Sequence, residues 1–251
     1  MDQASVFSFA MSYCGPPALP AELWGRWNLD PLLLAGFGAA AAWGWYRLRH
    51  AETGNRWAFA GAWLVGFILF VSPFCALTVS LFSARVSHHV VLTMVVAPLL
   101  ALALPAAWNR RIPLGLVLAA STIALWGWHS PAAYTAAFAH PAIYWAMQAS
   151  LLALFTGLWL NLLRSPATLA VGVGALLSAI QMGLLGALLV FAPGPLYVPH
   201  QLTTVAYGLS PLEDQQLAGL IMWVPADLPL LALAMIRLFQ LLAGTRQAAR
   251  P

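Results

Sequence analysis

"FSARVSHHVVLTMVVAPLL", residues 82–100, puts three ionisable side chains, Arg85, His88 and His89, at the entrance of a long apolar run. About 20 mostly apolar residues suffice to cross a hydrocarbon core, and a charge at its centre costs about 2.5–3.5 kcal/mol. A run of this kind reads as a membrane helix. Two adjacent imidazoles at its mouth then need a reason.

The rest of the chain repeats the pattern. Of 251 residues, 62% are hydrophobic and 7% charged, against roughly 25% charged in an ordinary soluble domain. Breakers and charges delimit seven predicted helices at 31–47, 57–82, 88–104, 113–129, 141–163, 167–192 and 216–242. The predicted fold is therefore all-α, a polytopic bundle of about seven transmembrane helices. It comprises an external N-terminal segment (1–30), a seven-helix domain (31–242) and a cytoplasmic tail (243–251). The N-terminal apolar patch lacks the basic region of a cleaved signal peptide.

Charge orients this bundle. All eleven basic residues are arginines, and none forms the extended basic face that a nucleic acid would need. Arg47, Arg49, Arg56, Arg110, Arg111, Arg164, Arg237, Arg246 and Arg250 fall on one side of the predicted bundle, and Arg26 and Arg85 on the other. The positive-inside rule places the larger group in the cytoplasm, with the N-terminus outside. His88, His89, His129, His140 and His200 then share the external end with Met11 and Cys14, and only His50 is cytoplasmic.

Imidazoles from several helices at one end suit copper, with zinc or haem as further options. Adjacent helical residues point about 100° apart, so one of His88 and His89 is expected to face inward. His140, Tyr144 and Gln148 follow an i, i+4, i+8 pattern and form one polar stripe. Arg85 is expected in the outer headgroup region. Two cysteines, Cys14 and Cys75, are too few for a disulfide framework.

In the last predicted helix, Glu213 and Asp214 suit a helix N-terminus. Asp227 shares a face with Gln216, Leu220 and Trp223, roughly 16 Å deeper than Gln216 at 1.5 Å per residue. An acid at that depth is a candidate functional group. The absence of lysine excludes a retinal Schiff base, and no phosphate loop, H-E-x-x-H or nucleophile elbow occurs.

Four stretches, "LFSARVSHHVVLTMVVAPLL" (81–100), "LWGWHSPAAYTAAFAHP" (125–141), "FAPGPLYVP" (191–199) and "GLSPLEDQQLAGLIMWVP" (208–225), together resemble the CtaG-like family of multi-pass bacterial proteins linked to cytochrome c oxidase assembly. The resemblance implies oxidase biogenesis in the bacterial plasma membrane, with oxidase subunits or other assembly factors as partners and copper as cargo. It implies no catalytic activity.

Carried over position by position, the resemblance assigns His89 to an H-x-x-x-H pattern, His129 to W-H-x-P, His140 to the following histidine-proline and Asp214 to D-Q-Q. Arg85 stands where that pattern opens with histidine, so either His88 substitutes or the site in this chain is altered, with Cys14 as a compensating ligand. Where many members carry a further histidine, this chain reads Gln148-Ala149-Ser150. Two other readings compete. One is a membrane hydrolase with histidine-bound zinc and Asp214 or Asp227 activating water. The other is a metal-free scaffold for oxidase subunits.

Overall fold

The computed structural model describes residues 12–105 and 112–248, which leaves Met11, Arg110, Arg111 and Arg250 outside the described residues. Those residues fold as helices with no strand among them. We number them α1 (Pro31–Leu48), α2 (Thr53–Val71), α3 (Phe74–Ser80), α4 (Phe82–Ala103), α5 (Leu114–Trp128), α6 (Pro131–Ala139), α7 (Pro141–Arg164), α8 (Thr168–Phe191), α9 (Pro211–Trp223) and α10 (Leu228–Ala248).

Five segments are long and apolar enough to cross a membrane: α2, α4, α7, α8 and the α9–α10 stretch Pro211–Gly244. Leu169, Ile180, Leu184 and Phe191 of α8 are exposed although apolar, the outer face that lipid accommodates and water does not.

Several boundaries depart from the sequence reading. The expected helix over 57–82 ends at Val71, where Ser72 turns extended, and a short helix, α3, follows Pro73. Proline lacks the N–H that a continuing helix would use, so the chain turns there. The expected helix over 88–104 begins at Phe82 and contains a π-turn over Leu92–Val96. Pro131 does not merely end α5; it opens an additional helix, α6, as a first-turn proline can. The last predicted helix is two, parted by a turn before Leu228. Ala226 N–H reaches back five residues to Ile221 O there, so the face expected to unite Gln216 with Asp227 is interrupted.

α4 is the centre of the bundle, packed against α2, α3, α7 and α9, while α8 holds α9 and α10. Small residues set the α8–α9 distance. A Cβ on Gly219 would lie 2.6 Å from Gly186 O, and one on Gly186 would lie 2.8 Å from Gly219 O. Backbones in such contact gain dispersion that bulkier residues would forbid.

Both ends of α4 are closed by charged side chains from other helices. At its start the Asp214 carboxylate accepts Phe82 N–H at 2.6 Å, Ser83 N–H at 3.2 Å and the Ser83 hydroxyl. At its end Arg164 donates to Ala101 O at 2.6 Å, to Pro105 O at 3.2 Å and to Leu104 O. An anion at the N-terminus and a cation at the C-terminus satisfy orphan backbone groups and match the helix dipole. α4 is thereby fixed in register before any side chain along it is considered.

Candidate functional site

The upper half of α4 carries His88 and His89, and the C-cap of α5 carries His129. Their exposures are 1%, 3% and 4%, so all three imidazoles are buried. The expectation that only one of His88 and His89 would face inward is corrected: both are buried, His88 against the end of α2 and the start of α3 and His89 against α5 and α7. His88 packs edge-on to Phe70 at 4.8 Å and over Phe74 at 6.2 Å. His89 turns toward α5, its ring centre 5.7 Å from that of His129 and nearly perpendicular to it.

His129 is held from two directions. Its Nδ1 lies 2.7 Å from Leu125 O, a contact that requires the proton on Nδ1. Its own carbonyl accepts the Tyr197 hydroxyl at 2.7 Å. With Nδ1 donating, Nε2 keeps a lone pair, the tautomer in which imidazole ligates a metal. His89 Nδ1 has no hydrogen bond, and its Nε2 is 3.4 Å from Gln148 Nε2, whose own Oε1 is unpaired. Unmet polar atoms in a dry interior cost about 1–3 kcal/mol each. Several of them converge here.

Two imidazoles bound through metal–nitrogen bonds of about 2 Å have ring centres about 6 Å apart, close to the His89–His129 spacing. Among the described residues no three His, Cys, Asp or Glu side chains come together as a metal-holding group.

The remaining expected site residues fall elsewhere. His140 is the exposed N-cap of α7 and does not join the buried group. A helix start at Pro141 leaves that residue at the rim while Tyr144 and Gln148 descend into the core. Cys14 is not a free ligand, because it forms a disulfide with Cys75, 61 positions away. Folding of the N-terminal segment over α3 brings the two together, which residue spacing does not announce.

Arg85 is not at a headgroup surface. It is 2% exposed, with Nε donating to Thr78 O at 3.3 Å and its guanidinium 5.3 Å from the Tyr144 ring centre and 5.4 Å from that of Phe138. The bend at Leu81 tips the first turn of α4 inward, and aromatic faces take the place of a carboxylate partner.

Asp214 is occupied by the α4 cap and so is not placed to activate water. Asp227 is 5% exposed beside Gly183, where a Cβ would sit 3.0 Å from Asp227 Oδ2, and its Oδ1 has no partner. Nothing in the structure joins Asp227 to the histidines.

A second buried group went unrecognised in the sequence. His200 Nε2 lies 2.6 Å from the Tyr134 hydroxyl, beneath Phe82 and Tyr197, whose rings stack at 4.0 Å. Burial, aided by the charge of Arg85, pushes the His200 imidazole down to about 3, against the nearby Ser80 backbone, which favours protonation. Burial alone pushes the Tyr197 hydroxyl up.

The sequence motif at 213–216 is explained as scaffolding for this end of the bundle. Glu213 completes a capping box with Ser210, and Asp214 caps α4. Gln215 donates to Leu189 O at 3.2 Å and accepts Leu196 N–H at 2.7 Å, while Gln216 donates to Val190 O at 3.3 Å. Four consecutive side chains thus close α9, α4 and the end of α8, and fix the 192–200 loop that delivers Tyr197 to His129.

The chain matches the family model described as cytochrome c oxidase caa3 assembly factor (Caa3_CtaG), over residues 39–120 and 113–243. No curated protein and no solved structure matches. The match takes in both buried histidine helices, the capping motif and most of the bundle. The chain belongs to the caa3-type cytochrome c oxidase assembly factor family.

Proposed function

We propose that this oxidase assembly factor crosses a bacterial plasma membrane seven times, with the histidine end outside, and carries copper to an oxidase subunit. The observation that carries the reading is the His89–His129 pair: two buried imidazoles, one with its tautomer set by Leu125, facing each other without a hydrogen bond between them. His88 stands 5.9 Å from His89 as a further imidazole of the same group. The orientation draws support from the Cys14–Cys75 disulfide at this end, since disulfides persist on the oxidising side of a membrane. It also draws support from Arg47, Arg49, Arg56 and Arg164 at the opposite end.

Copper here is cargo rather than a resident cofactor, and no catalytic role is assigned. The test is copper titration of purified protein carrying His89→Ala with His129→Ala, beside a His140→Ala control. We expect the double variant to lose the bound ion and the control to keep it. Equal stoichiometry and affinity in all three proteins would remove the site. Impaired oxidase maturation without any copper binding would leave the scaffold reading in its place.

A further inference from the structure

A copper route needs an opening, and the buried histidines have none. The segment 12–30 crosses this end of the bundle as a strap, tied to α3 at Cys75 and Ser80 and laid on α7 at Tyr144 and Trp145. Tyr13 stacks on Tyr144 at 5.1 Å and stands edge-on to Trp145 at 5.0 Å. Trp145 in turn stacks on Phe70, which touches His88. A groove of about 670 Å³ runs between α1 and α7 beside this strap, open along exposed Leu32 and Ala149 and walled by Tyr13, Phe70, Trp145 and Gln148. It stops at Gln148, the residue in contact with His89. Tyr13 and Gln148 are thus wall residues of one groove, and His89 lies behind Gln148.

The strap is fastened covalently by Cys14–Cys75 and otherwise by a few polar contacts: Ala18 with Ser80 and Tyr207, and Asn28 with Val71 and Phe70. Its two cysteines differ in burial. Cys75 is 1% exposed, whereas Cys14 is half-buried, with its sulfur 3.9 Å from the Tyr144 hydroxyl. We infer that Cys14–Cys75 is a thiol-exchange site for a dithiol protein, and that its reduction releases the strap, withdraws Tyr13 from the groove wall and widens the groove towards His89. The inference rests on the copper reading for its purpose and on geometry alone for its mechanics.

The exchange balances. A partner thiolate attacks Cys14 Sγ; the Cys14–Cys75 bond breaks, and Cys75 leaves as a thiolate that takes a proton. The partner's second thiolate then attacks its own sulfur in the mixed disulfide and expels Cys14, which is protonated. Two electrons and two protons pass to this chain, and the partner becomes a disulfide. Once the tie is cut, the strap opens locally at the cost of its remaining contacts only.

The experiment labels histidines of the full chain in detergent with diethyl pyrocarbonate, before and after dithiothreitol treatment and removal of excess reductant. Modification is read residue by residue by peptide mass spectrometry. We expect the rates at His88 and His89 to rise by about tenfold or more on reduction and to fall again on reoxidation. His140 should react quickly and His200 slowly throughout. Cys75→Ser should label like the reduced protein, and Tyr13→Ala should raise the rates with the disulfide intact, a check independent of cysteine replacement. With glutathione, the first mixed disulfide should form on Cys14.

Unchanged rates at His88 and His89, a parallel rise at His200, or a first adduct on Cys75 would each overturn the inference. Faster labelling in a protein that binds no copper would uphold the strap and sink the copper reading. Copper binding with labelling indifferent to reduction would do the reverse.

Discussion

Two buried histidine groups lie within one end of this bundle, and they differ in how their nitrogens are used. His200 rests Nε2 on the Tyr134 hydroxyl at 2.6 Å, leaves Nδ1 unpaired and is boxed by the rings of Phe82, Tyr134 and Phe138. His89 and His129 face each other at 5.7 Å, with His89 Nδ1 unpaired and Gln148 only at the edge of hydrogen-bonding distance. The first arrangement pairs a single imidazole with a single hydroxyl. The second gathers unpaired nitrogens of His88 and His89 and an unpaired Gln148 oxygen in one dry place, which folding alone does not reward. The contrast is therefore one of number and convergence of unmet polar atoms.

The sharpest way to break the contrast is to delete both members of the second group. His89→Ala with His129→Ala should lower copper affinity by at least about 100-fold in titration, well beyond the effect of losing one outer-shell partner. His200→Gln should leave that affinity within a factor of about three. Equal losses in the two proteins would erase the distinction.

Next in size is the clamp that supports both groups. Asp214→Ala leaves the Phe82 and Ser83 N–H groups unpaired and should cost about 3 kcal/mol in thermal or denaturant unfolding. Copper retention should fall with it only as far as the fold loosens.

Tyr134→Phe removes one buried hydrogen bond and should cost about 1 kcal/mol, with copper affinity unchanged. Acid supplies the most specific probe. His200 titrates near 6.5 in the unfolded chain and is pushed down to about 3 in the folded one. The unfolded state therefore binds the extra proton between those values, and the folded state loses stability as pH falls from about 6.5 towards about 3. His200→Gln should flatten that part of the stability–pH curve. An unaltered slope would mean that Arg85 and the burial around Tyr134 do not hold His200 neutral.

The membrane helices were legible because hydrocarbon imposes length and composition on each segment separately. The interruptions were less so. Pro73 and Pro225 mark real breaks, yet an apolar run conceals whether proline bends a helix or ends it, since neighbouring helices decide that. His89 and His129 were readable from their placement at helix ends. His140, in an equivalent sequence position, lies outside the group because the stripe it heads begins at the rim.

Arg85 and Cys14 were misread for one reason: depth and pairing belong to tertiary packing, and neither a bend at Leu81 nor a strap crossing α3 has a local signature. The acids at 213–214 read as a local cap, which fits Glu213. Asp214 caps a helix 131 residues away from it in sequence, at Ser83, and spacing alone cannot show such a partnership.

The π-turn at Leu92–Val96 has a consequence for variation in this chain. One residue more than a regular helix needs is accommodated just beneath His89, where Thr93 bonds back to the His89 carbonyl and Trp159 grips the Thr93 carbonyl. Removing that extra residue would let the turn close into regular helix with the top and base of α4 still in phase. Removing one from the regular turns beside it would instead wind the top by about 100° relative to the base and swing the imidazoles from α5 toward another neighbour. The loose turn is thus a place where this rod tolerates a one-residue loss without changing the bearing of its tip.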